Sequence, residues 1–224
     1  MPRTFDDARR WARLGTELFL GAAGAGLGEP SALPGWTRAH LVAHVAANAD
    51  ALGNLVHWAA TGEPTPMYAS PEERATVIER GRALRAAELS AWLRDSADAL
   101  EKGMAALGEE QWGAQVVTAQ GRTVPATEVP WLRSREVCVH AVDLANGVSF
   151  ADLPADFLTA LCDDVVAKLA AAPGPAASLR APGAAWELPG HGETALVTGE
   201  LHEIAAYLTG REAIPAAPTL GAWL

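Results

Sequence analysis

The run Leu33-Pro34-Gly35-Trp36-Thr37-Arg38-Ala39-His40-Leu41-Val42-Ala43-His44-Val45-Ala46-Ala47-Asn48 decides the fold of this chain. It opens as a turn at Pro34-Gly35. Thr37 then offers a side-chain oxygen as N-cap, and apolar residues recur at helical spacing from Leu41 through Val45, Leu52, Leu55 and Val56 to Trp58. Thr61-Gly62-Glu63-Pro64-Thr65-Pro66 ends that helix. The same period extends in both directions. Phe5 to about Leu20 is an amphipathic helix closed by the glycines at 21, 24 and 26. Ser70-Pro71-Glu72-Glu73 starts another, with a serine cap, proline in the first turn and acids facing the positive end of the helix dipole. Its pattern runs to about Leu107 with a break near Gly81, and helical spacing returns from about Ala126 to Leu144 and from Pro154 to Ala172. Between them, Gln115 to Ala119 reads as a short strand or an extended link.

Beyond Pro173-Gly174-Pro175 the composition changes. Ser178-Leu179-Arg180, Ala185 to Leu188 and Thr194 to Thr198 alternate between turns like strands, and Gly199 to Leu208 is one more amphipathic helix. The expected architecture is mainly α: a helical bundle over residues 1–172 and a small α+β domain over 173–224. A unit that short buries little core alone, so the expectation is that it leans on the bundle.

Composition removes several functions. The 224 residues carry 17 Lys and Arg against 27 Asp and Glu, a formal net charge of −10, which offers no electrostatic footprint for nucleic acid or an anionic membrane. The N-terminal residues lack the apolar run of a signal peptide and no window reaches the ~18 apolar residues of a membrane span, so the chain is expected in the cytoplasm. Cys138 and Cys162, the 2 cysteines, sit in apolar helical patterns as small core residues. A monomer or a homodimer would suit such a chain.

Chemistry concentrates at two places. His40 and His44 are four residues apart on one helix, and Glu136 and His140 are four apart on another, with Asp143 three further on. Four residues turn a helix by about 400°, so each pair projects from one face within reach of a single ion. The competing reading is a weak surface hydrogen bond, the usual outcome of such spacing. The apolar neighbours of His44 and His140 argue against it, because an unpaired buried imidazole is costly. His57, His191 and His202 have no partner at metal spacing, Cys138 points away from Glu136, and surface salt bridges are expected for Arg133 and Arg135.

The run at 33–48, with Arg135-Glu136-Val137-Cys138-Val139-His140-Ala141-Val142-Asp143-Leu144 and the closing stretches Val197 to Leu201 and Tyr207-Leu208-Thr209-Gly210-Arg211, resembles the mycothiol-dependent maleylpyruvate isomerase family of the DinB-like metalloenzyme superfamily. The resemblance implies a DinB-like four-helix bundle with a small C-terminal α+β domain. It further implies a divalent ion, usually zinc, held by the residues that match as His44, Glu136 and His140, with Arg211 matching an arginine implicated in activity. His40 is read as a rim residue, with a fourth-ligand or orienting role as the alternative, and Asp143 either orients a ligating histidine or makes helix-end interactions. The implied cosubstrate is mycothiol, whose metal-activated thiolate would add to the double bond of an unsaturated acid and leave again after rotation. Arg211 would pair with a carboxylate. Two alternatives stay open: transfer of mycothiol to an electrophile with a leaving group, and a metal-binding module without catalysis. Residues 64–70 and 111–127 fall outside the resemblance and are expected as pocket walls.

Overall fold

The computed structural model of the protein describes residues 3–223. The first compact unit, residues 4–148, is built on α1 (Phe5–Ala22), α2 (Arg38–Thr61), α3 (Pro71–Arg82), α4 (Ala86–Ala106), a single turn α5 (Glu109–Trp112), a hairpin of β1 (Gln115–Val117) and β2 (Thr123–Pro125), and α6 (Val129–Asp143). Four of these make the bundle: α1 lies along α6, α2 lies along α4, and α2 also meets α6. Helix α3 is also laid against α2, so the break near Gly81 separates two helices that both pack on it.

Local chemistry sets the helix limits. Thr4 Oγ1 accepts from Asp7 N at 3.1 Å while Asp7 Oδ2 accepts from Thr4 N at 3.1 Å, a reciprocal cap on α1. Gly62, at φ 77°, takes the left-handed conformation that closes α2. Ser70 Oγ accepts from Glu73 N at the start of α3, and Pro71 follows it in the first turn. Helix α1 buries Ala8, Trp11, Ala12, Gly15 and Phe19. At Gly15 the approach to α6 is so close that a Cβ would stand 2.5 Å from Cys138 Sγ and 2.6 Å from Val137 Cγ2. Helix α2 is buried almost all round, from Ala39 to Ala59, as the central helix of a bundle should be.

Three polar ties fix the start of α2 against the end of α6. Arg38 Nε donates to Leu144 O at 2.8 Å, Arg38 Nη2 donates to Ala145 O at 2.8 Å, and Ala32 N donates to Asp143 O at 2.8 Å. A guanidinium at the carbonyl end of a helix satisfies acceptors with no partner inside the helix and complements its dipole.

The second unit runs from Ser149 and contains α7 (Ala155–Ala170), β3 (Pro175–Ala181), β4 (Ala184–Leu188), β5 (His191–Thr198) and α8 (Leu201–Leu208). Strand β3 is central, antiparallel to β4 and parallel to β5. The expected boundary at 172/173 moves to 148/149. Helix α7 buries Phe157, Leu158, Leu161, Cys162, Val165 and Leu169 and packs on α8 and β4, which gives the small sheet a helical cover of its own. Trp186 Nε1 donates to Asp163 Oδ1 at 2.6 Å across that contact. Tyr207 Oη donates to Pro218 O at 2.6 Å and Trp223 Nε1 donates to Thr209 O at 3.1 Å, tying down the tail. No helix among the described residues is long and apolar enough to cross a membrane.

Candidate metal centre

Helices α2 and α6 bring His44, Glu136 and His140 together, with one donor atom from each lying within 4.8 Å of the others. His44 Nε2 stands 2.9 Å from Glu136 Oε2, and His140 Nε2 stands 3.4 Å from the same oxygen. The imidazoles meet edge to face, with ring centroids 4.9 Å apart. Both are buried, whereas the Glu136 side chain keeps 21% of its surface, so one side of the trio stays open. Two imidazoles and a carboxylate converging through atoms of this spacing suit zinc or a similar ion with room for an exogenous ligand.

Outer contacts hold the trio in this pose. Asp143 Oδ2 lies 2.8 Å from His140 Nδ1, so Nδ1 carries a proton toward the carboxylate and Nε2 is left to face Glu136. Asp143 is fully buried, with its carboxylate on the His140 ring. Burial pushes His44 toward its neutral form, against the pull of Glu136. Burial also opposes charge on His140, but the hydrogen bonds to Asp143 and Glu136 outweigh it and raise its pKa to about 9. Glu136 is held well below the usual carboxylate range: burial acts upward, and its hydrogen bonds to His140 and His44 overcome it. The pocket is therefore built for positive charge.

His40 does not join the trio. Its Nδ1 accepts from Thr37 N at 3.0 Å and its Nε2 lies 3.5 Å from Glu79 Oε1, so it serves the cap of α2 and a bridge to α3. Trp36 stacks on His40 at 5.8 Å and meets the edge of His44 at 5.7 Å, forming an aromatic wall. Arg211 belongs to the other compact unit, where its backbone N–H donates to Ala206 O at 2.8 Å and its Nη1 to Thr209 O at 2.6 Å.

Arg133 corrects a sequence expectation. It is 2% exposed, and its Nη1 donates to Val45 O at 2.8 Å and Asn48 Oδ1 at 3.0 Å, locking α6 to α2 beside His44. Burial lowers its pKa to about 10, opposed by the charges of Glu136 and Asp50. Helical spacing carried this signal, since residues 133, 136 and 140 share one stripe. Arg135, also expected in a surface salt bridge, lies over the Trp131 ring at 5.8 Å.

The two stretches expected as pocket walls touch, with Ala119 N donating to Met67 Sδ at 3.2 Å. A cavity of about 380 Å³ lies between the 66–69 segment, α2 and α3, with Tyr68 in its wall. Arg74, near the start of α3, places Nη2 3.4 Å from His44 Nδ1. Tyr68 and Arg74 had no motif to mark them, and Tyr68 could be suspected only from its place in the unmatched loop; Trp36 lay within the run at 33–48 without a role of its own.

The family model of the mycothiol maleylpyruvate isomerase N-terminal domain matches residues 7–145. Two solved structures, of the mycothiol-dependent maleylpyruvate isomerase and of a histidine-to-alanine mutant of it, each superpose with a TM-score of 0.91 at 37% identity, over 99% of this chain and 98% of theirs. No curated protein matches the sequence. A family model spanning more than half of the chain, a likeness over its whole length and the His44–Glu136–His140 cluster agree: the chain belongs to the mycothiol maleylpyruvate isomerase family.

Proposed function

We propose that this protein is a metal-dependent isomerase that uses mycothiol to convert a cis-unsaturated acid of the maleylpyruvate type to its trans form, with His44, Glu136 and His140 as ligands of a zinc ion. The observation that carries the reading is the convergence of those three donors on one another inside a fold that follows an isomerase from end to end. When bound, the ion supplies Lewis acidity, which makes a coordinated thiol a nucleophile at neutral pH that can add reversibly to an activated double bond.

The chain's own residues hold the geometry for that chemistry. Asp143 keeps the proton of His140 on Nδ1, so Nε2 faces the site. Arg133 clamps α6 to α2, and Trp36 covers the histidines on one side and keeps water from that face. For Arg211 the sequence resemblance alone speaks, and its planar fork would suit a carboxylate. No cysteine of the chain is equipped to be the nucleophile: Cys138 and Cys162 are both buried, and burial pushes each thiol up to about 12. The thiol is therefore borrowed. Transfer to an electrophile and binding without catalysis draw less support, because the full-length likeness is to an isomerase.

The test is to incubate zinc-loaded protein with mycothiol and maleylpyruvate and to follow fumarylpyruvate. Turnover that needs both thiol and metal is expected, and its absence from protein with stoichiometric zinc would sink the isomerase reading.

A further inference from the structure

We propose that Arg74 and Tyr68, at the junction of the α2–α3 connection with α3, receive a carboxylate of the substrate beside the metal centre. The assignment deepens the isomerase reading and rests on it for the identity of the acid.

Arg74 has no counter-ion among the described residues: no carboxylate lies within ion-pairing distance of it, in a chain of net charge −10 and in a helix whose first turn holds Glu72 and Glu73. Glu73 is committed elsewhere, since its Oε2 accepts from Ala69 N at 2.6 Å. The guanidinium leans inward instead and places Nη2 3.4 Å from His44 Nδ1, a contact too long to hold it firmly.

Tyr68 is the second donor. Its hydroxyl oxygen is buried and finds no acceptor; the Arg74 guanidinium interacts with it, and Glu136 and Asp50 are its other charged neighbours. A buried hydroxyl left without an acceptor is accounted for when a ligand supplies one. Tyr68 also joins the metal centre to the cavity of about 380 Å³, within the range of small-molecule sites. The other polar groups of that wall are spent: Asp50 accepts from Trp92 Nε1 at 2.8 Å, and Asn54 Nδ2 donates to Pro66 O at 3.1 Å. At the Tyr68 wall of the cavity the phenol adjoins the guanidinium of Arg74, a neutral donor beside a charged one. That pairing suits a carboxylate, which can accept from a guanidinium and a phenol at once.

The assignment predicts binding without turnover. Calorimetry of the zinc-loaded protein with succinate, a saturated diacid that cannot isomerise, should show binding that Arg74→Gln weakens by ~10–100-fold and Tyr68→Phe by about threefold to tenfold. Arg74→Lys should recover part of the loss, because it restores charge without the fork. Zinc content and thermal midpoint should match wild type in all three variants, and KM for maleylpyruvate should rise more than kcat falls. Loss of succinate binding in the variants alongside no maleylpyruvate turnover by wild type would support the assignment and overturn only the isomerase reading. Succinate affinity unchanged in both Arg74→Gln and Tyr68→Phe, or no succinate binding by wild type, would overturn the assignment itself.

Discussion

Glu136 reaches two imidazoles at once, 2.9 Å from His44 and 3.4 Å from His140, and its low pKa shows that the site favours the ionised carboxylate despite burial. Removing either imidazole should therefore cost more than one metal bond, because the carboxylate loses a partner as well. His44→Ala is expected to purify with less than stoichiometric metal by elemental analysis, and to lose turnover with it. Asp143→Asn leaves the three donors in place but removes the charge that orients His140, so metal affinity should fall by ~10–100-fold in a competition titration with a chelating dye. Full metal retention in both variants would remove the centre proposed here. At this scale much of the site was legible, since helical spacing paired Glu136 with His140 and the resemblance selected His44 over His40. What escaped was Tyr68 and Arg74. Each becomes a neighbour of the trio only through the path of the α2–α3 connection, which no periodicity records.

Helices α1 and α6 illustrate how an element's partner, more than its own propensity, fixes a residue. Gly15 is a poor helix former, yet it lies where α1 meets Cys138 and Val137 of α6 with no room for a side chain. Gly15→Val should destabilise the fold by roughly 1–3 kcal/mol, read as a fall in thermal midpoint of several degrees. The cap of α1 makes a pH prediction. Hydrogen bonds from Thr4 and from Arg10 lower Asp7 from 3.8 to about 2, so what it contributes is fully present above about pH 4 and is lost as pH falls toward 2. Asp7→Asn should thus be less stable than wild type at pH 7 in thermal melts, with the difference closing at pH 2. Apolar spacing located the helices well, because burial repeats with the helical turn. It could not say against what α7 is buried, and so the unit boundary moved from 172/173 to 148/149.

For the molecule as a whole, a metal that binds the folded chain alone adds to its stability by mass action. Zinc at a hundredfold excess over its Kd contributes about 2.7 kcal/mol. For a chain of this length that is roughly 5–10 °C in thermal midpoint, so dialysis against a chelator should lower the midpoint by that much and zinc should restore it. An unchanged midpoint would mean that the three donors do not bind the ion tightly in the native state. The two unreactive cysteines carry a further consequence. With Cys138 and Cys162 sealed in separate helices and their thiols held protonated, alkylating agents and mild oxidants find no reactive thiol on the folded chain. Iodoacetamide should leave the native protein's mass unchanged while it consumes free mycothiol in the same tube. The protein then outlasts the reagent, and resupply of reduced mycothiol alone should bring turnover back.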